Sequence, residues 1–199
     1  MYTAPCRGFA AAALVRCRAQ QSQLSVNHPF SVTFERSPDR QEDAYALSKA
    51  ICELQASALC RYYPGLRIAS LRFHMVTPDY ATAVRNVRPE DGFAWTSLDA
   101  SASACLRGIT SEGWDGAEAF NVAAPEICWE GGLTPDSKSM VPLDEKRGTV
   151  ELVQSMWGEK ISGWDEAFWK DRPRRTTFSS EKAERLLGWD HDTAADADL

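Results

Sequence analysis

EDAYALSKAICE, residues Glu42 to Glu53, puts Tyr45 and Lys49 four positions apart at the start of a stretch that reads as a helix. At i and i+4 the two side chains share one helix face, so an ammonium lies near a phenol and favours its phenolate form. Taken alone, the pair suits a packed tyrosine at the helix entrance beside a solvated lysine better than it suits a catalytic couple. Its surroundings decide. Glu42 and Asp43 suit a helix N-terminus, the helix is expected from about Ala44 to Arg61, and YYPG at Tyr62 to Gly65 stops it. Leu47, Ile51, Leu54 and Ala58 recur at intervals of four, three and four, a stripe expected to be the packed face. Tyr45 and Lys49 then lie on the nearly opposite, working face.

Working outward from this helix, LRIASLRFHMV predicts a strand over Arg67 to Met75, closed by Thr77-Pro78 and followed by a loop. SLDASASACLRGIT predicts a second helix, with Ser97 or Asp99 at its start and Gly108 near its end. AEAFNVAAPE reads as a short strand entering a turn at Pro125, and Glu126 to Arg147, with Gly131-Gly132, Pro135 and Pro142, reads as loop. TVELVQSMWGEK offers another helix, and the aromatic residues of MWGEKISGWDEAFW are expected in the core. SSEKAERLLGWDHD is a last helix, capped by Ser179 or Ser180 and stopped at Gly188, before the acidic tail TAADADL. Strand and helix alternate as in an α/β protein.

Upstream, Arg7, Arg16 and Arg18 precede the first acid, Glu35, a pattern shared with mitochondrial transit peptides, and FAAAALV has the character of a short signal-peptide core. A small Ala-rich helix or an irregular start is the preferred expectation. Cytoplasmic location is then the default and mitochondrial targeting the alternative.

Composition narrows the function classes. With 199 residues, 44% hydrophobic and 25% charged, the chain is expected to be one soluble domain with its own core. A net charge of -6 repels phosphate backbones, so nucleic acid is not an expected partner. No apolar run has the length of a membrane span. The six cysteines form no C-x-x-C pair and His28, His74 and His191 stand singly, so no metal is expected. Cys52 and Cys60 fall on one helix about 12 Å apart, too far to bridge, which fits a reducing compartment.

YALSK, a helix and Pro-Gly turn, SLRFHMVTP, SLDASASACLRGI, FNVAA and SSEKAERLLGWD follow one another in an order that resembles the C-terminal half of extended short-chain dehydrogenases/reductases. Within them it looks like the NAD-dependent epimerase/dehydratase family, from about Pro38 to Asp192. Residues 1–37 are then an atypical N-terminal segment, 38–192 the epimerase/dehydratase-like domain and 193–199 a tail. The resemblance implies a truncated NAD(P)-binding Rossmann-like fold. It also implies an oxidoreductase acting on a hydroxy or keto group of a sugar-nucleotide-like or other small substrate with NAD or NADP.

By the same resemblance Tyr45 is the proton-transferring catalytic residue, and Lys49 supports it and hydrogen-bonds the nicotinamide ribose. Ser25, in QLSVNHPF, is the candidate for the serine that bonds the reacting oxygen. Arg72 belongs to the segment beneath the nicotinamide and is a candidate cofactor contact; His74 and Asp99 are candidate substrate contacts. One departure is large: no G-x-x-G-x-x-G turn occurs in the chain. Only 44 residues precede Tyr45, where the family's cofactor-binding half, at roughly thirty residues per βαβ unit, needs many more. The alternative expectation is therefore a noncatalytic remnant that forms a homodimer through the helix from Tyr45 to Arg61, as family members commonly do.

Overall fold

β2 (Arg67–Phe73) is the hub of the computed structural model, which describes residues 10–16, 44–87, 92–130, 147–157 and 169–193. It pairs in parallel with β1 (Ala10–Arg16) on one side and with β5 (Ala117–Val122) on the other, so that Val15, Arg72 and Asn121 lie side by side. A central parallel strand is covered on both faces, and β2 is buried from Ile68 to Phe73. Ala69, Leu71 and Phe73, with Phe120 and Val122 of β5, pack against Ala100 and Ala104 of α3 (Leu98–Thr110) and Ala183 and Leu187 of α5 (Glu181–Leu187). The opposite face belongs to α1 (Ala44–Tyr62), the crossover between β1 and β2.

A second core gathers around a two-stranded parallel sheet of β3 (Met75–Thr77) and β4 (Trp95–Ser97). Val84 of α2 (Tyr80–Asn86), Leu152 of α4 (Thr149–Trp157), Trp95 and Trp129 fill it, with Phe93 stacked on Trp129 at 4.1 Å. The α/β class with parallel strands is as expected. Trp169, the described core aromatic of the expected cluster, is buried.

Several local expectations need correction. Ala10–Arg16 is a strand, not an Ala-rich helix: seven backbone positions pair with β2, and that ladder overrides the helix preference of alanine. The single strand expected from Arg67 to Met75 breaks at His74, where the chain leaves one sheet for the other. The loop expected after Thr77 contains α2, started by Asp79, whose Oδ1 accepts from the Thr82 amide at 2.7 Å. Ser97 caps α3 by accepting from the Ala100 amide at 3.0 Å, and Asp99 sits in the exposed first turn.

The largest correction concerns α1. Leu47, Ile51 and Leu54 of the apolar stripe are 51%, 43% and 70% exposed, whereas Ala56 is buried. The sheet beneath α1 presents Arg72, a buried cation that needs a carboxylate, and the helix turns Glu53 inward to meet it. Cys60, further along α1, lies beside the backbone of Ile68, and burial pushes its thiol pKa up. Cys52, Cys60 and Cys105 are free thiols, the Cys128 thiol donates to the Phe93 carbonyl at 3.3 Å, and no metal-binding cluster occurs among the described residues. No helix among them is long and apolar enough to cross a membrane.

Candidate active site

Two contact points fix the direction of α1 on the sheet. Cys60 meets Ile68 near the amino end of β2 and Glu53 meets Arg72 near its carboxyl end, so the helix runs antiparallel to the strands. Lys49 and Tyr45 precede Glu53 by one and two turns, about 6 and 12 Å at 1.5 Å per residue. They therefore overhang the carboxyl ends of the strands, the end at which open parallel α/β sheets bind ligands. Tyr45, Lys49, Glu53 and Ala56 form one row of the helix, since steps of four and three return to the same side. Its lower half packs on the sheet; its upper half projects past it. The face that carries Tyr45 and Lys49 is thus the continuation of the packed face, not its opposite.

At the top of this row, the Lys49 Nζ lies 5.1 Å from the centroid of the Tyr45 ring. Tyr45 is 41% exposed, and the Ser48 hydroxyl donates to its carbonyl at 2.7 Å, a bond across the first turn. The arrangement can hold a positive charge beside a phenol that solvent and a small molecule both reach.

The other candidate residues make contacts of their own. Arg72 donates from Nε to Glu53 Oε1 at 2.8 Å and from Nη2 to Oε2 at 2.7 Å, a two-pronged ion pair with the arginine side chain 4% exposed. His74 is buried, its ring 3.8 Å from that of Phe178. Burial, then the Arg72 charge, lower its pKa to about 3, so it is neutral near pH 7. Its Nε2 has no hydrogen-bond partner among the described residues. Asp99 stands on α3, in the layer across the sheet from α1. Ser25 lies outside the described residues.

A cleft of about 800 Å³ opens at the end of β5 between the two cores, and sequence reasoning missed it. Ala123 to Glu126 form its floor, residues 179–181 and Glu184 one wall, and Tyr80, Trp95 and His191 the other. Burial pushes the Tyr80 pKa up to about 12, and its hydroxyl donates to Glu130 Oε1 at 3.1 Å while accepting from Arg174 Nη2 at 3.2 Å. The Ser97 amide donates to His191 Nε2 at 3.2 Å, which leaves the ring proton on Nδ1, 2.9 Å from Asp192 Oδ1. Arg175 pairs with Glu181 at 2.6 Å, and Arg172 also reaches the cleft. Burial, with Asp190 and Glu181 nearby, raises the Glu184 carboxyl. Fixed hydroxyl and carboxylate groups beside indole and phenol faces suit a polyhydroxylated ligand. The signal for this wall was the WDHD that follows the last helix, which places Trp189 and His191 together at the cleft.

No protein-family model matches the chain, and no curated protein matches it. Solved structures do. UDP-glucose 4-epimerase from Thermotoga maritima, with UDP-glucose, is similar at a TM-score of 0.50 and 17% identity over 90% of this chain and 57% of that one. Another UDP-glucose 4-epimerase gives a TM-score of 0.50 at 13% identity, over 92% and 59%. UDP-N-acetylglucosamine 4-epimerase from Bacillus cereus gives 0.49 at 17% identity, over 92% and 57%. The chain thus spans 57–59% of the length of these structures. What is shared is the fold, the Rossmann-like parallel α/β arrangement of these epimerases.

Proposed function

We propose that the chain carries the Tyr45–Lys49 portion of an NAD(P)-dependent epimerase/dehydratase-type oxidoreductase, acting on a hydroxy or keto group of a sugar-nucleotide-like or other small substrate. The observation that carries this reading is the single helix row whose lower half is anchored on the sheet and whose upper half presents Tyr45 and Lys49 beyond the strand ends. Support for a sugar-like ligand comes from the polar, aromatic-walled cleft at the same end of the sheet.

In this reading the residues at hand serve the nicotinamide end of a dinucleotide: the half-buried Lys49 would bond a ribose hydroxyl through its ammonium, and Tyr45 stands one turn before it. No Gly-rich turn in the sequence serves the pyrophosphate. When bound, the cofactor accepts or supplies hydride. The work of this chain is proton transfer: the Tyr45 Oη takes the proton of a substrate hydroxyl as it becomes a carbonyl, or returns it in the reverse direction. The Lys49 ammonium lies 5.1 Å from the centroid of the ring that carries out this transfer. Titration calorimetry of the purified chain with NADH and NADPH tests the reading. Saturable binding in the micromolar range, lost in Lys49→Ala, is the expected result; a folded wild-type chain that binds neither nucleotide overturns it.

A second reading is favoured by a specific observation: Leu47, Ile51, Leu54, Leu59 and Tyr62 leave an apolar stripe exposed along α1. Among the exposed residues of this helix only Arg61 is charged, so two copies of an acidic chain can meet here without opposing like charges. The proposed occupant is a second copy, in a twofold contact that pairs the stripe with itself. In that reading the chain is a dimerising module, with or without catalysis.

A further inference from the structure

We infer that Glu53 and Arg72 are positioning residues for Tyr45 and Lys49: their two-pronged ion pair sets the height and rotation of the overhanging turns of α1 relative to the sheet. The inference rests on the proposed role of Tyr45 and Lys49 and moves Arg72 from the cofactor contact that the resemblance implies to the support beneath it.

Four observations carry it. Glu53 lies one turn below Lys49 and two below Tyr45 on the same row, so any rotation at Glu53 is transmitted rigidly to both through helix hydrogen bonds. Arg72 is the penultimate residue of β2, so the contact sits at the last point where the sheet still supports the helix. Both prongs are made, at 2.8 and 2.7 Å, and a planar guanidinium meeting a carboxylate in this way fixes orientation as well as distance. Among the described side chains of α1 only Ala56, one turn below, is a buried apolar one, so little interdigitation there holds the helix against rotation.

Stability alone does not account for the choice. A buried ion pair is commonly no better than a pair of well-packed apolar residues, because desolvation offsets the attraction. What an apolar pair lacks is direction. Two side chains meeting through dispersion tolerate sliding and rotation that a fork of two hydrogen bonds does not. The neighbouring ionisable groups have other placements: His74 is turned onto Phe178, and the Lys49 ammonium lies over Tyr45.

The test compares the wild-type chain with three variants: the apolar pair Glu53→Leu/Arg72→Met, the single change Arg72→Lys, which keeps the charge and loses the fork, and the exchange Glu53→Arg/Arg72→Glu. Amide hydrogen exchange over residues 44–52 and over 57–62, thermal unfolding, and NADH titration are measured on each. The apolar pair is expected to unfold within a few degrees of wild type, yet to exchange faster by at least about tenfold in 44–52 only and to bind NADH at least about tenfold more weakly. Arg72→Lys should fall between the two, and the exchanged pair should recover part of the protection. A folded apolar pair with wild-type exchange over 44–52 overturns the inference whatever its NADH affinity. If wild type itself binds no NADH, the catalytic reading fails separately, and the exchange pattern still decides whether the ion pair holds the overhanging turns.

Discussion

His74 shows how a single residue ties the fold to pH. It is 6% exposed, between the Arg72 charge and the Phe178 ring, and its pKa is lowered from 6.5 to about 3. The folded chain therefore resists a proton that the unfolded chain accepts. Stability is unaffected by this group above pH 6.5 or so and falls as the pH drops from there toward about 3, at up to about 1.4 kcal/mol per pH unit. Urea unfolding at pH 7.5 and 5.5 should show a loss of about 1.4 kcal/mol in wild type that is absent in His74→Phe. Since the buried Nε2 has no partner among the described residues, the variant should be no less stable than wild type at pH 7.5. Equal pH dependence in the two chains would falsify this account. The sequence marked His74, Arg72, Tyr45 and Lys49 as residues of interest because they stand in recognisable motifs. It could not assign their contacts, since Arg72 meets Glu53 across a separation of 19 residues and His74 meets Phe178, which lies far along the chain.

Elements were legible where their signals are local. The helix from Ala44, the helix before β5 and the last helix stopped by Gly188 all form, the last closed at a left-handed glycine with φ 62° whose amide donates back to Ala183 and Glu184. β1 was not legible, because an alanine run has no strand pattern until a partner strand supplies its hydrogen bonds. Packing between elements makes one sharp prediction. Gly113, between α3 and β5, lies so close to α5 that an added Cβ would stand 2.8 Å from the Leu186 carbonyl oxygen. Backbone meets backbone there, so neither side has a rotamer to give. Gly113→Ala should cost about 1–3 kcal/mol, read as a lowered unfolding temperature, and an unchanged temperature would mean that the two segments separate more easily than their contact suggests.

For the molecule as a whole, charge and exposed apolar surface act together. The chain carries a net charge of -6, yet α1 displays Leu47, Ile51, Leu54, Leu59 and Tyr62 to solvent. Apolar stripes of this length mark association surfaces in soluble proteins. Sedimentation should show dimers whose proportion grows with concentration, and Ile51→Glu/Leu54→Glu should stay monomeric with an unfolding temperature near that of a dilute wild-type sample. A wild-type chain that remains monomeric to concentrations on the order of 100 micromolar sinks the dimer. The sequence by itself determined the α/β alternation, the stops of the helices and the sharing of one helix face by Tyr45 and Lys49, because these follow from backbone geometry over a few residues. Only the tertiary structure decided which side of α1 faces inward. A helical repeat fixes the angles between side chains but not the direction of the core, and that direction was set by the demand of a buried arginine on the neighbouring strand for its carboxylate.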